Sequence, residues 1–254
     1  MISEVTEFVL ERVSSTPGLI GLLLVGSAAR GEMQKNSDWD FVAVISDDVP
    51  WPKPFRDGGR ETFAAPDGRQ VEVAYRTADS LQCRIAEQAA LGFGPFAEML
   101  AEGLPVGEMS DTIRALQSAA REVLSKAPDP LPAGELPWRC YEIWNQLKDV
   151  EDCLDDPLTS FYLSQLAFWN MVTLFIRLKG GWLARPKAVF AQVKGLDAGF
   201  HGMCDRFAEA TSPQDRYEIL CAMMLDLSRR FSLTFDAYYT STAEERSGMS
   251  RHPL

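Results

Sequence analysis

Histidine is scarce in this chain: two in 254 residues, His201 and His252. A histidine-rich zinc centre is excluded, and a Ser-His-Asp triad would have to rest on His201. The five cysteines (Cys83, Cys140, Cys153, Cys204, Cys221) are scattered and make no C-x-x-C pair. That pattern belongs to a reduced, cytoplasmic protein rather than a disulfide scaffold or zinc finger. Long apolar runs are missing too. Leu19–Val25 and Met171–Ile176 are far too short to span a bilayer, and the acidic N-terminus lacks the basic region of a signal peptide. Basic residues are in deficit, 25 Lys and Arg against 36 Asp and Glu, for a net charge of −11. The deficit is spread over both halves, −7 for residues 1–126 and −4 for 127–254, so neither resembles a clamp for polymeric nucleic acid. The expected partners are small molecules or a protein, with no nucleic acid and no membrane, for a monomer or homodimer.

What is present is an ordinary globular composition, 46% hydrophobic and 24% charged, over a length that suits one large domain or two of usual size. Ile2, Val5, Phe8, Val9 and Val13 recur at helical spacing, ended by Pro17-Gly18. The apolar run Leu19–Val25 reads as a strand covered on both faces, and Trp39–Ile45 as a second. A Pro/Gly-rich loop over 50–59 precedes a hairpin, Glu61–Ala65 and Arg69–Tyr75 around Asp67-Gly68. Helices follow at 78–91, 95–102 and 110–125. Pro128 to Gly134 cannot continue a helix and reads as a connection between domains. Beyond it strand signals vanish. Trp138, Tyr141, Trp144, Leu147 and Val150 form one helical stripe, and helices are expected at 157–179, 186–194, 198–210 and 213–239. The predicted fold class is α+β: residues 1–126 as a small mixed sheet backed by helices, 127–240 as an all-α bundle, and 241–254 as a flexible tail.

The chemistry is concentrated in Gly26-Ser27-Ala28-Ala29-Arg30-Gly31 and, downstream, Ser37-Asp38-Trp39-Asp40. Asp38 and Asp40 are two apart at a strand start, so both carboxylates leave one face of the sheet. Two carboxylates held that close repel each other unless a hard cation sits between them. On the hairpin Glu72 alternates with Val71 and Val73 and faces away from them, as the third acid best placed to join the pair. Gly26 permits close backbone approach to a phosphate, and Ser27 offers a hydroxyl and N–H groups. Gly92 to Ala97 fits G-x-G-x-x-A but follows a helix, not a strand, so dinucleotide binding is discounted; no Walker A run exists. An RNase of the helical toxin type needs an Arg-x-x-x-x-His run that neither histidine provides. The tryptophans 138, 144, 169 and 182 are expected in packing.

These motifs resemble the nucleotidyltransferase superfamily that includes polymerase β, in which Gly-Ser precedes Asp-x-Asp and a third acid follows on a later strand. The likeness is to its small-molecule branch, the aminoglycoside and minimal nucleotidyltransferases, and covers about 50 residues. The resemblance implies Mg²⁺, with two ions, held by Asp38, Asp40 and Glu72. It implies ATP or another nucleoside triphosphate as donor, its phosphates met by Gly26, Ser27, Arg30 and Lys35, with Ser37 fixing the loop. An acceptor hydroxyl would attack the α-phosphorus and expel pyrophosphate. The general base is Glu72 or an acid of the bundle, Glu135, Glu142 or Asp149. Glu142, Asp149 and Asp152 are the acceptor-binding candidates; Asp149, Asp152 and Asp156 are expected on one helical face, which reads first as a solvated helix end and, if it borders a cleft, would attract a polycation such as an aminoglycoside. Lys179, Arg185 and Lys187 around Gly180-Gly181 either reach the triphosphate or solvate a turn. The alternatives are AMP transfer to a protein, as by the antitoxin class, and a nucleotide-binding module without catalysis.

Overall fold

The computed structural model describes residues 2–48, 59–132 and 134–236. The chain divides into two compact units, Met1–Ala127 and Pro128–Leu254. The Pro/Gly-rich loop of 50–59, but for Gly59, and the tail of 241–254 lie outside the described residues.

The first unit is built on five strands: β1 (Leu19–Val25), β2 (Trp39–Ile45), β3 (Arg60–Ala64), β4 (Gln70–Thr77) and β5 (Leu104–Val106). Their order across the sheet is β3-β4-β2-β1-β5. β2 and β4 run parallel, and the other pairings are antiparallel, so the sheet is mixed. Period-two alternation sends Leu22, Leu24, Phe41, Ala43, Val71 and Val73 to one face, where Val5, Val9 and Val13 of α1 (Ile2–Val13) cover them. Leu23, Val25, Val42 and Val44 go to the other face, covered by α3 (Ala78–Leu91), α4 (Pro95–Glu102) and α5 (Asp111–Leu124). The central strands are buried on both faces, which is why they read as continuous apolar runs. Two elements escaped the sequence reading: the single-turn α2 (Gly26–Ala29) and the three-residue β5.

The second unit is all helical among the described residues: α6 (Glu135–Asp152), α7 (Pro157–Leu178), a 3₁₀ turn at Pro186–Ala188, α8 (Val189–Leu196), α9 (Ala198–Glu209) and α10 (Pro213–Phe231). The expected stripe on α6 is corrected. The helix buries Cys140, Ile143, Leu147 and Val150, leaving Trp138, Tyr141 and Trp144 half-buried on its flank with ring centroids 5.6 and 6.4 Å apart. Trp169 is exposed and Trp182 half-buried, so no bundle tryptophan is fully enclosed. α7 is buried all round from Met171 to Ile176, and Phe175 stacks on Phe200 at 3.9 Å. Side-chain caps open three of these helices: Asp156 on α7, Asp197 on α9 and Ser212 on α10. α10 ends at Phe231 rather than 239, because Ser232 takes the left-handed conformation (φ 54°). No described helix is long and apolar enough to cross a membrane.

Candidate active site

The site is assembled by strand register. Asp40, second residue of β2, lies between Val25 of β1 and Glu72 of β4, its in-register partner on each side. Directly opposed residues of neighbouring strands share a face, so Asp40 and Glu72 stand side by side on the face that carries Val42 and Val44. Asp38 immediately precedes the strand and is exposed. Gly26, at the junction of β1 and α2, has φ 69°, and a Cβ there would fall on the Asp40 carboxylate. Glycine at this position thus serves both a left-handed backbone and the space beside an acid.

Electrostatics give the same picture. Burial pushes the Asp40 carboxyl up to about 6, and the negative charges of Asp38 and Glu72 push in the same direction. Arg60 and Arg30 oppose the shift. Asp38 and Glu72 are thus each within Coulombic reach of Asp40. Their all-oxygen donor chemistry suits a hard divalent cation. As the side chains stand, no group of three or more His, Cys, Asp or Glu among the described residues is placed to hold a metal ion. Arg60 on β3 pairs with Glu72, its Nη1 3.1 Å from Glu72 Oε2.

Three contacts that the sequence did not disclose brace this region. Trp39, between the two aspartates, is buried and donates its indole Nε1–H to Asp67 Oδ2 at 3.0 Å. Asp67 also accepts the Arg69 N–H at 3.1 Å, and Arg69 reaches Met33 Sδ at 3.5 Å. The hairpin tip is thereby tied both to β2 and to the loop before it. Arg60 was likewise unread. An Asp-Gly turn next to a strand-initial tryptophan was the available signal for the first contact; the Arg60–Glu72 pair needed the β3/β4 register.

The remaining candidates are placed as follows. Ser27 follows Gly26 in the first turn of α2, whose opening N–H groups lack partners within the helix. Arg30 is paired with Glu32 (2.8 Å) and Glu102 (3.4 Å). Lys35 is exposed. Ser37 Oγ accepts the Gln34 N–H at 2.9 Å and so fixes the loop before Asp38. In the second unit Glu135 is bonded to Arg139 at 2.6 Å, while Glu142 is half-buried and its carboxyl is raised by that burial. Asp149 and Asp152 are exposed near the end of α6. Asp156 does not share their helix face: α6 stops at Asp152, and Asp156 caps α7, accepting the Leu158 and Thr159 N–H groups at 3.2 Å. Lys148 pairs with Glu151 at 2.7 Å on the same stretch. Lys179 lies 3.9 Å from Asp197 beside the Gly180 turn. Gly92 is the left-handed cap of α3 and Gly94 precedes α4, in keeping with the rejection of a dinucleotide loop.

Residues 2–91 match the nucleotidyltransferase domain family. The chain is similar in fold to the crystal structure of a nucleotidyltransferase-like protein from Exiguobacterium sibiricum, with a TM-score of 0.51 at 13% identity, over 91% of this chain and 75% of that one. No curated protein matches the sequence. The family match thus places a nucleotidyltransferase domain in the first unit, over residues 2–91, and supports nucleotidyl transfer as its general activity.

Proposed function

We infer that the protein transfers AMP from ATP to the hydroxyl of a small molecule, an aminoglycoside-like polyol being the first acceptor class to test, and releases pyrophosphate. The observation that carries this reading is the in-register pairing of Asp40 with Glu72 beside the Asp40-facing Gly26. Asp38, Asp40 and Glu72 would hold Mg²⁺. When bound, the ion would neutralise triphosphate charge and polarise the α-phosphate. Gly26 and Ser27 would receive phosphate oxygens on backbone N–H groups and a hydroxyl, and Arg30 and Lys35 would supply positive charge nearby. Arg60 pairs with Glu72; released from Arg60, Glu72 would accept the proton of the attacking hydroxyl. Glu135, engaged with Arg139, is the poorer base.

The test is a pyrophosphate-release screen with Mg²⁺, each nucleoside triphosphate, and a panel of aminoglycosides and other polyols, together with mass spectrometry of candidate protein acceptors. Asp38→Asn and Asp40→Asn should each lower turnover by at least about a thousandfold while the fold persists. Full activity in both variants overturns the assignment. Labelling confined to a protein favours the antitoxin-like alternative, and binding without turnover for any acceptor favours a nucleotide-binding module.

A further inference from the structure

The helical unit contains an aromatic cleft that the transfer chemistry leaves unused. Phe168 and Phe207, 7% and 4% exposed, form its floor with nearly parallel rings 4.2 Å apart. Phe190 stacks against Phe168 at 5.9 Å but stays 41% exposed, and Phe161 on the rim is 45% exposed. The half-open cleft has a volume of about 440 Å³, within the range of small-molecule sites. Contiguous exposed rings around a concavity are a recognition feature more often than isolated exposed apolar residues are.

Two charged residues line the cleft, and they are in different states. Asp205 is turned to His201, whose Nδ1 lies 3.0 Å from its carboxylate, and is itself 60% exposed to screening water. Arg216 sits with its guanidinium 5.1 Å from the Phe161 ring centroid. Its hydrogen bond is a long one, 3.4 Å, to the Thr211 carbonyl, and among the described residues no carboxylate pairs with it. The ring holds the guanidinium in place while its donor fork remains available to an anion.

We propose that this cleft binds a flat apolar anion, an aromatic carboxylate whose rings lie against Phe168 and Phe190 and whose carboxylate is taken by Arg216. The exposed rings of Phe190 and Phe161 suit a planar aromatic body, and the Arg216 guanidinium, paired with no carboxylate among the described residues, selects the charge. This site is independent of nucleotidyl transfer and stands whether or not that reading holds.

Calorimetry on the full chain with 2-naphthoate tests it, with 2-naphthylmethanol as the uncharged probe and 2-naphthylmethylammonium as the cation. One-site saturable binding of 2-naphthoate is expected. Arg216→Gln and Phe190→Ala, each with an unchanged circular dichroism spectrum, should weaken it roughly tenfold or more, and the uncharged probe should bind wild type as weakly as 2-naphthoate binds Arg216→Gln. Absence of saturable binding, equal affinity in Arg216→Gln, or preference for the ammonium probe would overturn the proposal. So would a dimer in sedimentation that Phe161→Ser dissociates and 2-naphthoate leaves intact, since a second copy would then fill the cleft.

Discussion

Asp40 shows how a single residue can oppose stability in order to serve a site. Its carboxyl is raised from an ordinary value of 3.8 to about 6 by burial and by two neighbouring acids. The native state therefore holds a proton between about pH 4 and 6 that the unfolded chain releases. Its contribution to stability is fully present below pH 4 and is lost as the pH rises through 6. Without metal, Asp40→Asn should be more stable than wild type at pH 7.5, by about 1 kcal/mol or a melting-point rise of about 2–4 °C. Scanning calorimetry in chelator checks this, and a lower melting point would contradict it. Divalent-ion affinity of the wild type should also fall below pH 6, as protons compete for Asp40. Gly26 is the complementary case. Gly26→Ala meets a left-handed backbone and the Asp40 carboxylate together, and should cost on the order of 2 kcal/mol in urea unfolding, with transfer lost. Both residues were legible in the sequence, because Gly-Ser and Asp-x-Asp are local patterns. Arg60 was not, because its partner Glu72 is chosen by cross-strand register.

At the scale of elements, most boundaries follow from periodicity: β2 is Trp39–Ile45 and α3 is Ala78–Leu91, as the pattern predicts. Failures have physical causes. β5, Leu104-Pro105-Val106, is three residues long and contains a proline, so it carries no alternation and is specified by pairing with Leu22–Leu24 of β1. The turn α2 is too short to show a helical period. Asp156 reads equally well as the end of one helix or the cap of the next, and only the break after Asp152 decides. The brace between Trp39 and Asp67 joins two elements, and it can be tested as such. Trp39→Phe and Asp67→Ala should each destabilise the protein by about 1 kcal/mol, and the double variant by less than their sum. Additive losses in denaturant titrations would show that the hydrogen bond does not couple hairpin to strand.

The whole molecule is two units with separate apolar cores. The two sheet-face clusters draw only on residues up to Leu124, and the helical cluster begins at Leu131. A chain ending at residue 127 should therefore melt cooperatively by circular dichroism; a non-cooperative loss of signal would show that the sheet needs the bundle to fold. Both units are acidic, which is why composition led to the expectation of a small-molecule or protein acceptor and could not name it.

The account rests on Asp40 standing opposite Glu72 across β2 and β4, with Asp38 just before the strand, and on the proposal that the three hold a divalent ion. Titration of Mn²⁺ in the presence of ATP, followed by electron paramagnetic resonance, reads that site directly. Wild type should bind Mn²⁺ saturably, Asp40→Asn should lose the site, and Glu72→Gln should weaken it at least about tenfold. Equal Mn²⁺ affinity in wild type and both variants would contradict the account.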